Sequence, residues 1–204
     1  MSLQDLVAII WGIPGVRSTI VFGLVAAVIA GRWLARRFGG SATIATMALA
    51  SWVVLVTVTL VPDVTQAWQQ DNLALVGRTA QDNVAVCVTT WGSAVSQALT
   101  TLDGQANILL FAVPALLGSI WLRRPLIVGL ALTTQSALTE LFQAAIAGTA
   151  CQTSDWIANS VGVAMGVLTA TGAIAVTSRL SAGRRLASTG PEPLARGGRA
   201  RRWD

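Results

Sequence analysis

The stretch PLIVGLALTTQSALTELFQAAIAGT, from Pro125 to Thr149, decides the fold class of this chain. It is long and apolar enough to cross roughly 30 Å of bilayer hydrocarbon as a helix. Glu140 lies in its middle, and a carboxylate at that depth costs on the order of 3 kcal/mol to insert, even on lenient scales. The segment therefore predicts either a site within the membrane or a buried hydrogen bond between helices.

The composition of the whole chain is that of an integral membrane protein. Of its 204 residues, 53% are hydrophobic and 11% are charged, whereas soluble domains carry about 25% charged residues. The chain has no histidine, which excludes imidazole zinc sites and Ser–His nucleophiles. We expect no metal and no cofactor. We also expect no nucleic-acid binding, because the net charge of +5 follows from how membrane topology distributes the arginines.

Apolar segments predict an all-α fold, a polytopic membrane bundle of five transmembrane helices, because only a helix satisfies its own backbone groups in lipid. The expected spans are about 13–33, 41–61, 107–122, 125–147 and 156–177. The loop 62–106 is longer than an ordinary connection, so we expect it to be partly folded or functional. Residues 1–180 then form one membrane domain, and the basic tail 181–204 is expected to be disordered.

The arginines are distributed unevenly between the two ends of the predicted spans. Of the 14 basic residues, 12 follow the first, third and fifth spans, which end on the same side of the bundle. The other side carries only Arg17 and Arg78. By the positive-inside rule the N-terminus and the long loop lie outside, and the C-terminus is cytoplasmic. We expect a multi-pass protein of the plasma membrane with membrane lipids as its partners.

The two cysteines fall on the predicted outer side. Cys87 lies in the long loop, and Cys151 lies in the short loop between the fourth and fifth spans. Disulfides persist outside the cell, so we predict a bridge between them. Two unpaired thiols are the alternative, because a single pair offers no check on connectivity.

Three predicted helices place polar side chains at the same depth near the outer surface. On the fourth span the polar residues recur at i, i+4 and i+7, and on the fifth span at i and i+4, so each set shares one helical face. If these faces converge, they form a polar pocket open to the outer leaflet. The residues of this predicted pocket are Asn107, Ser136, Glu140, Gln143, Asp155 and Asn159.

Structural roles are the alternative for several of these residues. Asp155 can cap the fifth helix through first-turn amides. Asn107 and Asn159 can serve as interhelical contacts worth roughly 0.6 kcal/mol each. Gly162 and Gly166 form a small-residue surface that lets another helix approach closely, so we assign them, with Pro114 on the third span, to helix packing.

Three runs of sequence resemble the VanZ-like membrane proteins: NILLFAVP from Asn107, ELFQ from Glu140, and CQTSDWIANSVGVAMG from Cys151. The family pattern is an Asn-apolar-Phe-Pro helix, an E-x-x-Q helix, and D-x-x-x-N-x-x-G-x-x-x-G. A departure occurs near Thr149, where the family often has an arginine. The matching positions are Asn107, Phe111, Pro114, Glu140, Gln143, Asp155, Asn159, Gly162 and Gly166.

The resemblance implies an envelope protein linked to resistance against glycopeptides of the teicoplanin type. Its expected ligand is a lipid-linked cell-wall precursor or a glycopeptide bound in the polar pocket. An intramembrane hydrolase or transferase using Glu140 and Asp155 as an acid/base pair is the main alternative, although no serine nucleophile motif supports it. A transporter is disfavoured by the absence of inverted repeats. A purely structural scaffold is the remaining hypothesis.

Overall fold

The computed structural model describes residues 16–60, 91–146 and 152–188, and these residues contain helices and no strand. The predicted all-α class is therefore confirmed. The helices are α1 (Val16–Phe38), α2 (Ala42–Leu60), α3 (Trp91–Thr100), α4 (Leu102–Leu122), α5 (Pro125–Ile146) and α6 (Thr153–Ser188).

Five of these helices, all except α3, are long and apolar enough to cross a membrane. Only 17–28% of each apolar span is buried within the chain, so most of the apolar surface faces outward, as it does in lipid. The chain is a multi-pass membrane protein. Cys87, Cys151 and Thr149 lie outside the described residues, and the disulfide stays a prediction.

Three helices extend beyond the predicted spans. The first span was predicted to end near residue 33, but α1 continues to Phe38. The third span was expected to begin at Asn107, but α4 begins at Leu102, because the Thr101 hydroxyl accepts a hydrogen bond from the backbone N–H of Gly104 at 3.1 Å and caps the helix. The fifth span was expected to end at Thr177, but α6 continues to Ser188. Its 36 residues extend about 54 Å, well beyond the thickness of a bilayer.

Tight turns bring the arginine-bearing helix ends together. Gly39 and Gly40 have φ values of 79° and 99° in the turn from α1 to α2, a conformation that only glycine adopts without strain. Arg123 ends α4 in the left-handed conformation, and α5 begins two residues later. Gly40 lies beside Trp121 of α4. The two turns therefore meet at one end of the bundle, which we call the arginine-rich end.

The interface between α4 and α6 is the most extensive in the bundle. A methyl group at Gly162 would meet the carbonyl oxygen of Ile108, and one at Gly166 would lie 2.7 Å from the Ala115 methyl. These glycines therefore set how closely the two helices approach. The apolar core beside this interface consists of Leu55, Phe111, Ala115, Val128, Leu132 and Val163.

The other helices surround this central pair. α5 packs against both α4 and α6, α2 packs against α4, and α1 packs mainly against α2. The indole N–H of Trp52 on α2 donates a 2.8 Å hydrogen bond to Gln135 on α5, within the apolar spans. The short α3 falls within the predicted long loop, which is thus partly folded. It packs against α4 and α6 with Ala94 and Ala98 buried.

Candidate functional site

The candidate site lies at the end of the bundle opposite the arginine-rich end. Helix α5 runs toward it, and Glu140 lies 15 positions after Pro125, or roughly 22 Å along the axis. Helix α6 runs away from it, with Asp155 in its first turn. Because α4 and α6 are neighbouring parallel helices, Asn107 near the start of α4 comes to the same depth. The site therefore lies just below the membrane surface.

Glu140 is buried, with 8% of its surface exposed, and its described hydrogen bond is long. Its Oε2 accepts from the backbone N–H of Gln152 at 3.4 Å. This contact joins α5 to the residue that precedes α6. The Asp155 carboxyl group lies close enough to act on Glu140 electrostatically. Two acidic groups thus lie in one region, with Glu140 buried and Asp155 half-buried.

The Asp155 carboxylate forms hydrogen bonds with two side chains, one on α4 and one on α6. Asn107 on α4 and the adjacent Ser154 both form side-chain hydrogen bonds with its carboxylate. The first of these bonds joins α4 to α6 across their shared interface. Since α6 begins at Thr153, Asp155 lies inside the first turn rather than at the capping position. The described hydrogen bonds of its carboxylate are with side chains, which differs from the capping role considered above.

Ser136 and Asn159 form a second layer, one helical turn deeper. Asn159 Nδ2 donates a 2.9 Å hydrogen bond to Ser136 Oγ. Both side chains are buried, with exposed fractions of 0% and 4% respectively. Asn159 Oδ1 has no hydrogen-bond donor among the described residues. A buried acceptor without a partner costs about 1–3 kcal/mol, so this oxygen is a position that an incoming donor would stabilise.

The structure brings together most of the residues of the predicted pocket. Hydrogen bonds join Asn107 to Asp155 and Ser136 to Asn159, and the carboxyl groups of Glu140 and Asp155 are close enough to repel each other. Gln143 lies on α5 one turn beyond Glu140, but its side chain is outside the described part of the chain. We define the polar cluster as Asn107, Ser136, Glu140, Asp155 and Asn159.

Sequence reasoning missed one acidic residue beside the cluster. Asp103, in the first turn of α4, is exposed and acts electrostatically on Asp155. The predicted loop 62–106 includes it, because the third predicted span begins at Asn107. The signal that could have found it is its spacing, because Asp103 and Asn107 stand at i and i+4 on one helical face.

The cluster is rich in hydrogen-bond acceptors. In the described part of the chain, no arginine is among the groups that act on Glu140 or Asp155. The same residues contain no group of three His, Cys, Asp or Glu side chains that could hold a metal ion. Chemically, the arrangement suits a ligand that brings donors: hydroxyl, amide N–H or ammonium groups.

No protein-family model matches the chain, and no curated protein or solved structure matches it either. The VanZ-like resemblance therefore stays a prediction carried by the motif residues themselves.

Proposed function

We propose that this is a VanZ-like protein of the plasma membrane that binds the polar head of an outer-leaflet ligand in its polar cluster. The observation that carries the proposal is the excess of buried and half-buried acceptors. Glu140, Asp155 and Asn159 Oδ1 lie on neighbouring helices near one membrane surface, without an arginine partner among the described residues. A donor-rich ligand supplies what the cluster lacks.

The distribution of arginines supports an outward orientation for the cluster. Arg32, Arg36, Arg37, Arg123 and Arg124 all lie at the opposite end of the bundle, which the positive-inside rule assigns to the cytoplasm. The polar cluster then faces the exterior. A ligand in the outer leaflet reaches it laterally or from the aqueous phase without crossing the hydrocarbon.

The ligand classes that fit are lipid-linked cell-wall precursors and glycopeptides of the teicoplanin type. Both present sugar hydroxyl and amide N–H groups, which are donors to carboxylate and amide oxygens. Hydrogen bonds to charged groups contribute about 1.5–3 kcal/mol each. Removing one such bond is therefore expected to weaken binding by roughly 10-fold to 150-fold.

The test is a binding measurement on the full chain in lipid nanodiscs. Fluorescently labelled teicoplanin and a labelled lipid-linked cell-wall precursor are titrated against the wild type, Glu140→Gln and Asp155→Asn. We expect each variant to bind the ligand of the wild type at least 10-fold more weakly, because each variant loses a hydrogen bond to a charged group. Thr134→Ala, an exposed polar position on α5, is the matched control and is expected to bind normally.

A cell-based measurement accompanies the binding test. Expression of the wild type is expected to raise the teicoplanin concentration that inhibits growth, and Glu140→Gln is expected to abolish this effect at an equal amount of protein in the membrane. Unchanged affinity and unchanged resistance in both carboxyl variants would refute the proposal. Turnover of the lipid-linked precursor, lost in the same variants, would favour the intramembrane enzyme instead.

A further inference from the structure

A second polar feature lies at the arginine-rich end of the bundle, far from the polar cluster. A groove of about 450 Å³ separates the end of α4 from the C-terminal half of α6. Its lining residues are Arg123, Thr177, Ser178, Ser181 and Ala182, and we call it the basic groove. The proposed function of the polar cluster does not involve it.

The basic groove lies at the depth of lipid head groups. Helix α6 starts at Thr153 on the opposite surface, and at 1.5 Å per residue it has crossed roughly 30 Å of hydrocarbon near Gly172. Gly172 has no neighbouring atom within 4 Å of where a methyl group would stand. The positions from Thr177 to Ala182 are exposed. This part of α6 thus leaves the bundle at the membrane surface.

Arg123 has a backbone conformation that arginine does not favour. It is the only residue other than glycine with a positive φ in the described part of the chain, at 53°. Left-handed backbone at a residue with a Cβ atom costs on the order of 1–2 kcal/mol, and glycine is the usual residue after a helix. Strained residues cluster at functional positions, so the Arg123 guanidinium is a candidate for a functional contact.

The hydroxyl groups of the basic groove act as acceptors. Thr177 donates its proton to the Ala173 carbonyl at 2.9 Å, and Ser178 donates to the Ile174 carbonyl at 2.8 Å. Ser181 donates to the Thr177 carbonyl at 2.9 Å. With these protons engaged, the hydroxyl oxygens offer lone pairs to the groove, and the guanidinium of Arg123 supplies the donors.

From this arrangement we infer that the basic groove binds an anionic phospholipid whose head group carries hydroxyls, of the phosphatidylglycerol type. The guanidinium pairs with the phosphodiester, which is a favoured partner of arginine. The head-group hydroxyls donate to the oxygens of α6. An ammonium head group fits less well, because Arg124 and Arg179 add positive charge at the same end of the bundle.

The test measures lipid binding to the full chain by native mass spectrometry after release from detergent. The probes are phosphatidylglycerol, phosphatidylethanolamine and phosphatidylmethanol, the last being an anionic phosphodiester without a head-group hydroxyl. Soluble glycerol 1-phosphate is included to separate a lipid site from a site for a free phosphate ester. We expect phosphatidylglycerol to bind at least 10-fold more tightly than the other three.

Arg123→Gly is the decisive variant, because glycine adopts the φ of 53° without strain and keeps the turn intact. We expect it to lower phosphatidylglycerol affinity about 10-fold or more, as loss of a charge-assisted bidentate contact does. Arg36→Gln removes one charge from α1 at the same end and is the matched control, with an expected change below twofold. Ser181→Ala is expected to reduce the preference for phosphatidylglycerol over phosphatidylmethanol.

Three results would overturn the inference. Unchanged phosphatidylglycerol affinity in Arg123→Gly would show that the groove is not the site. An equal loss in Arg36→Gln would show diffuse attraction between the arginine-rich end and anionic lipid. Equal affinity for phosphatidylmethanol, or tighter binding of glycerol 1-phosphate, would exclude a hydroxyl-bearing lipid as the ligand.

Discussion

Asn159→Leu is expected to leave the bundle close to its native stability while weakening ligand binding by 10-fold or more. The wild-type side chain donates a 2.9 Å hydrogen bond to Ser136 but leaves its own Oδ1 without a donor. Interhelical hydrogen bonds in membranes contribute about 0.6 kcal/mol on average and at most about 1.7 kcal/mol. The unpaired oxygen costs an amount of the same order. Leucine removes the hydrogen bond and the unpaired oxygen together, so we expect the free energy of unfolding to change by about 1 kcal/mol or less.

Ser136→Ala is the contrasting variant in the same pair. It removes the hydroxyl that accepts the hydrogen bond from Asn159 Nδ2. The nitrogen and the oxygen of the Asn159 amide are then both buried without a partner, which costs about 1–3 kcal/mol. In Asn159→Leu the Ser136 hydroxyl can instead donate to a carbonyl one turn earlier on α5, as serine does in helices. We therefore expect Ser136→Ala to be the more destabilising of the two. We also expect the double variant to be about as stable as Asn159→Leu alone.

The assay is reversible unfolding in mixed micelles, with the free energy of unfolding compared among wild type, both single variants and the double variant. Ligand affinity is measured on the same samples in nanodiscs. The reasoning is refuted if Asn159→Leu costs more stability than Ser136→Ala. A stable Asn159→Leu protein with unchanged affinity would remove Asn159 from the binding site.

Three further predictions concern packing and covalent structure. Gly162→Ala is expected to lower the free energy of unfolding by about 1–3 kcal/mol, because its methyl group meets the backbone of α4. Gly172→Ala is the control. Its methyl group meets no atom within 4 Å, and alanine is favoured over glycine in a helix, so we expect this variant to raise the free energy of unfolding by about 0.5–1 kcal/mol. Trp52→Phe removes the 2.8 Å bond to α5 and should cost about 0.6 kcal/mol, and an unchanged unfolding free energy would show that the bond contributes nothing. Mass spectrometry after alkylation without reductant should find Cys87 and Cys151 unmodified and linked, and two alkylated thiols would exclude the bridge.

The fold class was predictable because the bilayer imposes a length and a polarity on each span. The apolar segments identified the five long helices among the described residues, since lipid admits no other backbone structure. The ends of the helices were harder to predict. Hydropathy indicates where the hydrocarbon region ends, but a helix can continue beyond that boundary. α4 begins five residues before the expected Asn107 because a threonine caps it. α6 continues past Thr177 because its serine and arginine residues tolerate a helix in water.

Helical periodicity predicted most of the polar cluster but not all of its surroundings. Positions spaced by four on α5 and α6 necessarily share a face, so Ser136 with Glu140 and Asp155 with Asn159 could be paired from the sequence alone. Which oxygen remains without a donor depends on the rotation of each helix about its axis. No sequence pattern reports that rotation. The bond from Trp52 was unpredictable for the same reason, because its partner lies on a different helix.

The two layers of the polar cluster share one property, which is that each leaves an acceptor without a good donor among the described residues. A scaffold needs each buried polar group to be paired, because a partly paired network costs more than an apolar one. Asn159 does not meet that condition, because it makes one good bond with Ser136 but its Oδ1 has no donor in the described part of the chain. Glu140 does not meet it either, because its described bond is 3.4 Å long and the group that acts on it electrostatically is a second carboxyl group, that of Asp155. Burial of polar groups with so little compensation is expected of a cluster whose partner arrives from outside the chain.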